Sequence, residues 1–239
     1  MMTMTTPRIV PPFTLPRRYG VDGRAAPDYP AGTMKQAVVY VVDDDVSVCR
    51  ALARLLRSVG LETQTFPSAR AFLDYTPPDR PACLVLDVRL PGPSGLDLQS
   101  ALNRTGRDIP IVFVTGHGSV PTSVRAMKGG AVDFLEKPFN EQDLLDSVQH
   151  ALQRSREQRA EQAERADLER RLETLTPRER EVLTLVVAGM LNKQIADQLG
   201  SAEKTVKVHR GRVMDKMEAA SVADLVRMTG KLAAPPTRH

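Results

Sequence analysis

The residues of this 239-residue chain that could do chemistry together are the run Asp43-Asp44-Asp45, the single Asp87, and the pair Thr115 and Lys137. Closely spaced carboxylates repel one another. A hard divalent cation such as Mg²⁺ relieves that repulsion and completes its shell with water and phosphate oxygens. A carboxylate can also attack phosphorus and become an acyl phosphate, while the cation, a Lys ammonium and a Thr hydroxyl neutralise the transferring oxygens. On this reading Asp87 is the acceptor, Asp43 and Asp44 hold Mg²⁺ directly or through water, and Thr115 and Lys137 are oxygen partners. Each residue also has a plainer use: the Asp triplet can cap a helix, Asp87 and Thr115 can end strands, and Lys137 can be a solvated loop charge before Pro138. Taken singly the plain uses win or draw; their joint occurrence on successive strand ends favours a site.

The elements that would position them are legible as periodicity. Ala37 to Val42, Cys83 to Leu86 and Ile111 to Val114 are continuously apolar, which predicts buried parallel strands. Glu62 to Phe66 and Asp133 to Leu135 are weaker strands, and helical patterns intervene, as at Val46 to Ser58 with Val48, Leu52, Leu55, Leu56 and Val59 on one face. The alternation predicts an α/β doubly wound parallel five-stranded sheet. Ligands of such sheets lie beyond the carboxyl ends of the strands, where all the residues above would meet.

The remainder of the chain differs in charge. Residues 1–35 hold five basic and two acidic groups, residues 36–150 eleven and fourteen, residues 151–175 six and six, and residues 176–239 eleven and seven. The acidic part and the basic end therefore suit different partners, and a basic end suits a polyanion. No apolar run approaches the roughly 18 residues that cross a bilayer, so a membrane role is not expected. Cys49 and Cys83 lack ligand spacing, so neither zinc nor a disulfide framework is expected, and a reducing cytoplasm suits the chain. Residues 1–35, rich in Pro, Thr and Gly, read as a disordered leader. Arg17-Arg18 has no apolar region behind it, so export is the weaker reading, and translation starting at Met34 stays open. His117 has no second His at ligand spacing and reads as a loop residue.

Residues 151–174 are nearly all helix formers and read as a solvated helical linker without the seam of a coiled coil. Residues 175–232 read as an all-α four-helix domain, and 233–239 as a disordered tail. Thr176-Pro177-Arg178-Glu179 is a helix start with Val182, Leu183, Leu185 and Val186 inward, ending at Gly189. A short helix from Asn192 to Leu199 closes at Gly200, and Ser201 begins a longer basic one through Met217. Two such helices across a tight turn describe a helix-turn-helix, a moderate signal from spacing alone. Met190, Met214, Met217 and Met228 read as core.

Residues 36–150 resemble the receiver domain of two-component response regulators. The resemblance is carried by Asp43-Asp44, by Leu86-Asp87-Val88-Arg89-Leu90-Pro91-Gly92, and by Thr115 and Lys137. Thr115-Gly116-His117-Gly118-Ser119-Val120-Pro121, with Ala131 to Phe139, is similar to the FixJ branch. The resemblance implies that the carbonyl of Arg89 is a further Mg²⁺ ligand, that Phe134 changes rotamer on activation, and that Lys137-Pro138 is cis. Leu175-Thr176-Pro177-Arg178-Glu179-Arg180-Glu181-Val182-Leu183, with Asn192-Lys193-Gln194-Ile195-Ala196 and Lys204-Thr205-Val206-Lys207-Val208-His209, resembles the LuxR-type DNA-binding domain of the NarL/FixJ family. That implies Lys207 and Val208 in the major groove, Lys193, Lys204, Thr205 and Arg210 near phosphates, and Ser221 to Met228 as a last helix used in dimers. Gly211 stands where relatives place a basic side chain, so no base contact is expected there, and a Gly inside a helix weakens it by up to about 1 kcal/mol relative to Ala.

The expected function is a non-enzymatic transcriptional regulator. A sensor histidine kinase phosphorylates Asp87, the change passes through Thr115 and Phe134 to the fourth helix and fifth strand, and a homodimer binds promoter DNA, with RNA polymerase as a further partner. Two alternatives stay open. One is a regulator that binds DNA without phosphorylation and uses the receiver as a platform. The other is an aspartyl-phosphate phosphatase, which would want a second carboxylate two positions after the first; that position is Arg89.

Overall fold

The computed structural model describes residues 37–116 and 118–233; the leader, His117 and residues 234–239 of the tail lie outside the described residues. In chain order the elements are β1 (Val38–Val42), α1 (Val46–Ser58), β2 (Glu62–Phe66), α2 (Ala69–Leu73), β3 (Ala82–Leu86), α3 (Gly95–Thr105), β4 (Ile111–Thr115), α4 (Val120–Lys128) and β5 (Asp133–Glu136). There follow α5 (Glu141–Glu173), α6 (Pro177–Val187), α7 (Asn192–Leu199), α8 (Glu203–Met217) and α9 (Val222–Ala233). The five strands form one parallel sheet in the order β2-β1-β3-β4-β5.

Every residue of β1, β3 and β4 is buried, which is why their sequences run apolar without alternation. Successive side chains serve opposite faces. Tyr40, Leu84 and Phe113 join Phe72 and Leu98 on the face covered by α2 and α3, while Val39, Val41, Val85 and Val112 join Leu52, Leu56, Leu144 and Val148 under α1 and α5. Val59 departs from the predicted apolar face of α1. It is the C-cap of that helix, half exposed, because Gly60 turns the chain through a positive φ of 83° directly after it.

The receiver's last helix and the helical linker are one element: residues 141 to 173 form one 33-residue helix. Asn140 caps its start, and neither Gly nor Pro interrupts it. Its ends are fastened to different partners. The buried hydroxyl of Ser155 accepts a hydrogen bond of 3.1 Å from the N–H of Ala82, at the start of β3, and Arg159 pairs with Asp79. One to two turns later Arg165 donates to the carbonyl of Leu232 and Glu164 pairs with Lys231 at 2.6 Å, and further on Arg171 donates to the carbonyl of Met217.

The C-terminal helices close over Val182, Leu183, Val186, Ile195, Val206, Val213, Met217 and Leu225, with Leu185, Met190 and Met214 partly buried against them. Met228 is half-buried and does not belong to that cluster. α8 starts two residues later than Ser201, with Ala202 as a cap that offers no side-chain bond. Ser221 supplies the cap of α9, its hydroxyl accepting from the N–H of Asp224 at 3.1 Å.

The start of α6 fastens this domain. Thr176 and Glu179 form a reciprocal capping box, and Lys216 of α8 donates to Glu179 Oε2 at 2.7 Å and to the carbonyl of Thr174 at 2.9 Å. The Lys216 ammonium and the Thr176 backbone N–H hold the Glu179 carboxyl down to about 2, from an ordinary 4.5. A depressed carboxyl stabilises the fold above its unfolded pKa, and that contribution is lost as pH falls through the folded value. Glu179→Gln should therefore lower the unfolding free energy of this domain by about 1 kcal/mol at neutral pH. In urea melts the gap from wild type should stay constant above about pH 5 and close between about pH 4.5 and 2; a gap that persists at pH 2 would remove the ion pair from the account.

Candidate functional site

β1, β3, β4 and β5 end side by side, and the acidic residues project from those ends. The three adjacent aspartates divide their work. Asp45 caps α1, its carboxylate accepting from the N–H groups of Ser47 at 2.7 Å and Val48 at 3.4 Å, as the plain reading of the triplet held. Asp43 is buried; its Oδ1 accepts from the N–H of Asp45 at 2.9 Å and its Oδ2 from Lys137 Nζ at 2.8 Å. Asp44 is exposed at the mouth. Asp43, Asp44 and Asp87 bring ligand oxygens within 4.8 Å of one another.

Asp87 is held from behind, its N–H donating to the carbonyl of Val42 at 2.9 Å. Its Oδ1 is buried with no hydrogen-bond partner among the described residues. Burial pushes the Asp87 carboxyl above the usual range, the Lys137 ammonium pulls it back, and the neighbouring Asp43 charge pushes it up further; backbone N–H groups of Arg89 and Val88 favour the ionised form. Three carboxylates face one ammonium, and a buried acceptor oxygen lacks a donor. A divalent cation satisfies both conditions, so the donor set fits Mg²⁺.

The other predicted residues lie around this trio. Thr115 is buried at the end of β4, where its carbonyl accepts the N–H of Lys137 at 2.7 Å. Phe134 is half-buried on β5, its ring centroid 6.1 Å from that of Phe113, and packs against the α2/α3 side of the core. The Lys137-Pro138 peptide is cis. Arg89 is exposed beside Asp87.

Sequence reasoning missed Gly95. It opens α3 directly after the N-cap Ser94, inside the capping box that Ser94 forms with Asp97, and its N–H donates to the carbonyl of Val88 at 2.9 Å. A Cβ at Gly95 would stand 2.2 Å from the backbone carbonyl oxygen of Asp87. Only glycine lets the start of α3 close on the acceptor's own peptide. The signal was a Gly at the first helical position directly after a Ser cap, which reads as ordinary loop composition until the close approach is known.

The second group of predicted residues lies on α7 and α8, joined by a turn through Gly200 in the left-handed conformation. Lys193, Lys204, Thr205 and Lys207 are exposed, and Val208 keeps 49% of its surface in solvent. Arg210 differs from the others. It is half-buried and donates to Asn192 Oδ1 at 3.0 Å, so in the free chain it ties α8 to the start of α7.

Two family models match the chain. Residues 39–149 match the response regulator receiver domain, and residues 173–229 match the bacterial regulatory proteins of the luxR family. Nodulation protein W of Bradyrhizobium diazoefficiens is 57% identical over 197 residues, covering 82% of this chain and 87% of that protein. The transcriptional regulatory protein FixJ of Azorhizobium caulinodans is 47% identical over 190 residues, covering 80% and 90%. The chain belongs to the NarL/FixJ family of two-component response regulators. Among solved structures, the response regulator StyR matches with a TM-score of 0.74 at 49% identity, over 82% of this chain and 99% of that one. Full-length FixJ of B. japonicum matches with a TM-score of 0.51 at 40% identity, over 84% and 98%. This regulator thus joins a receiver and a LuxR-type DNA-binding domain in one chain.

Gly95→Ala should displace the Asp87 peptide. The expected result is a loss of about 2 kcal/mol of receiver stability in denaturant melts and a fall of about tenfold in Mg²⁺ affinity by titration calorimetry. Wild-type values of both would mean that the close approach has no bearing on the site.

Proposed function

We propose that this response regulator takes a phosphoryl group from a sensor histidine kinase onto Asp87 and thereby binds promoter DNA as a homodimer in the cytoplasm, where RNA polymerase is its further partner. The buried, unpartnered Oδ1 of Asp87 within the carboxylate trio carries this reading. Asp43, Asp44, Asp87 and the carbonyl of Arg89 would hold Mg²⁺, which when bound neutralises charge on the carboxylates and the phosphoryl oxygens. The Asp87 carboxylate attacks phosphorus, the bond from phosphorus to the kinase imidazole nitrogen breaks, and that nitrogen keeps the electron pair. Lys137, already paired with Asp43, lies where its ammonium meets the added negative charge, and the Thr115 hydroxyl takes a phosphoryl oxygen. Movement of Thr115 toward that oxygen leaves room beside it, into which Phe134 turns from the β5 surface.

That movement ends at α4 and β5. Val120, Val124 and Met127 make an exposed apolar stripe at helical spacing on α4, with Val120 77% exposed, which suits a dimer contact. Lys207 and Val208 would read base edges, while Lys193, Lys204, Thr205 and, once released from Asn192, Arg210 approach phosphates. One observation favours the other reading, DNA binding without phosphorylation: the outward face of α8 is exposed in the unmodified chain. Both fit if phosphorylation supplies pairing rather than uncovering the helix. A single domain then binds weakly, and a linked second domain adds avidity on half-sites about one helical turn apart.

Asp87→Asn should leave weak DNA binding intact and abolish the gain produced by acyl phosphate and Mg²⁺ in footprints of genomic DNA. Equal affinity of the wild type with and without the donor would reject the switch. Lys207→Ala should lose preference for the footprinted sequence over random DNA, and an unchanged preference would take Lys207 out of the reading set.

A further inference from the structure

Gly211 breaks the local rule of the helix that carries it, and nothing among the described residues accounts for it. It is the ninth residue of α8, in ordinary right-handed helix, and it is exposed. A Cβ built there would meet nothing within 4 Å. No positive φ, close packing or turn requires glycine, although glycine weakens a helix interior. A local preference set aside without a structural return marks a functional position.

Its place on the helix says what that function is. Val206, Val213 and Met217 are buried and define the inward side of α8. At about 100° per residue, Lys204, Val208 and Gly211 fall within about 60° of one another on the opposite side. Gly211 is therefore on the outward face, in the middle of the helix, with the exposed Lys207 about 40° to one side of it and the exposed Arg212 about 100° to the other, on the flank. A helix that enters a major groove about 12 Å wide presents its crest to the base edges and its flanks toward the two phosphate walls.

We propose that Gly211 is a point of close backbone approach, where the missing side chain lets α8 sit against the base edges and so brings Lys207 and Val208 into register with them. Arg212, on the flank one residue on, reaches a phosphate. The inference rests on the DNA-binding reading above. It adds a specificity-determining position that acts by absence, so stability and affinity should respond to a methyl group with opposite signs.

The test uses the full chain with acyl phosphate and Mg²⁺. One probe is a duplex that the wild type selects from a random-sequence library, and the other is sheared mixed-sequence DNA. Gly211→Ala should raise the melting temperature of the DNA-binding domain by a few degrees. It should weaken binding to the selected duplex by about tenfold or more and binding to mixed DNA by less than about threefold. Gly211→Leu should extend the first loss further without enlarging the second. Binding of Gly211→Ala to the selected duplex within about twofold of wild type, or a melting temperature that fails to rise, overturns the inference. A wild type that selects no sequence at all would instead remove the DNA-binding reading on which it rests.

Discussion

The structure turns on the repulsion among three carboxylates that the sheet forces together. β1 and β3 lie side by side in register from Val38 opposite Ala82 to Val42 opposite Leu86, so the residues that follow, Asp43 and Asp87, must emerge together. The register comes from buried apolar packing on both faces, whose strength far exceeds what the repulsion can oppose. Lys137 answers part of the charge by pairing with Asp43, and half-buried Asp87 is left with a buried oxygen that has no partner among the described residues. Under the proposed function such a site gains most from a cation and an anion arriving together: the cation would relieve the carboxylates, and a phosphoryl group would bring oxygens to Lys137 and Thr115.

The same packing fixes where a change at Asp87 can go. Thr115 and Lys137 close the ends of β4 and β5 with one backbone hydrogen bond, so a shift of Thr115 is felt on the edge strand that carries Phe134. On the opposite side of the sheet, α5 is fastened to the start of β3 through Ser155 and to α8 and α9 through Arg171 and Arg165. Only about one turn, near residues 160–163, lies between the two sets of fastenings. The two domains are thus joined by a helix with little free length, and the outward face of α8 stays open to solvent. Regulation through pairing of two chains agrees with both features better than release of a covered helix.

Much of this was legible in the sequence because it follows from short-range rules. Buried strands announce themselves as apolar runs, strand ends by the polar residue that follows, and the start of α6 by Thr176, Pro177 and Glu179. The resemblance to receivers and LuxR-type domains supplied what the residues alone did not: the cis bond at Lys137-Pro138, and the roles proposed for Arg89 and Phe134. Properties that depend on distance through space were not legible. Nothing local distinguishes Asp45, which caps, from Asp43, which meets Lys137 ninety-four residues away. Gly95 matters because a backbone oxygen from another element occupies the space of its Cβ, and Arg210 is engaged because Asn192 folds beside it. The helical character of residues 151–174 was legible in their composition, and their continuity with the receiver's last helix agrees with the lack of Gly or Pro between Glu141 and Glu173.

The most direct measurement is the intact mass of the chain after incubation with acyl phosphate, with and without Mg²⁺, followed by peptide mapping. The account predicts the added mass of one phosphoryl group, dependent on Mg²⁺ and localised to Asp87. An unmodified mass under both conditions, or modification at another residue, would contradict it.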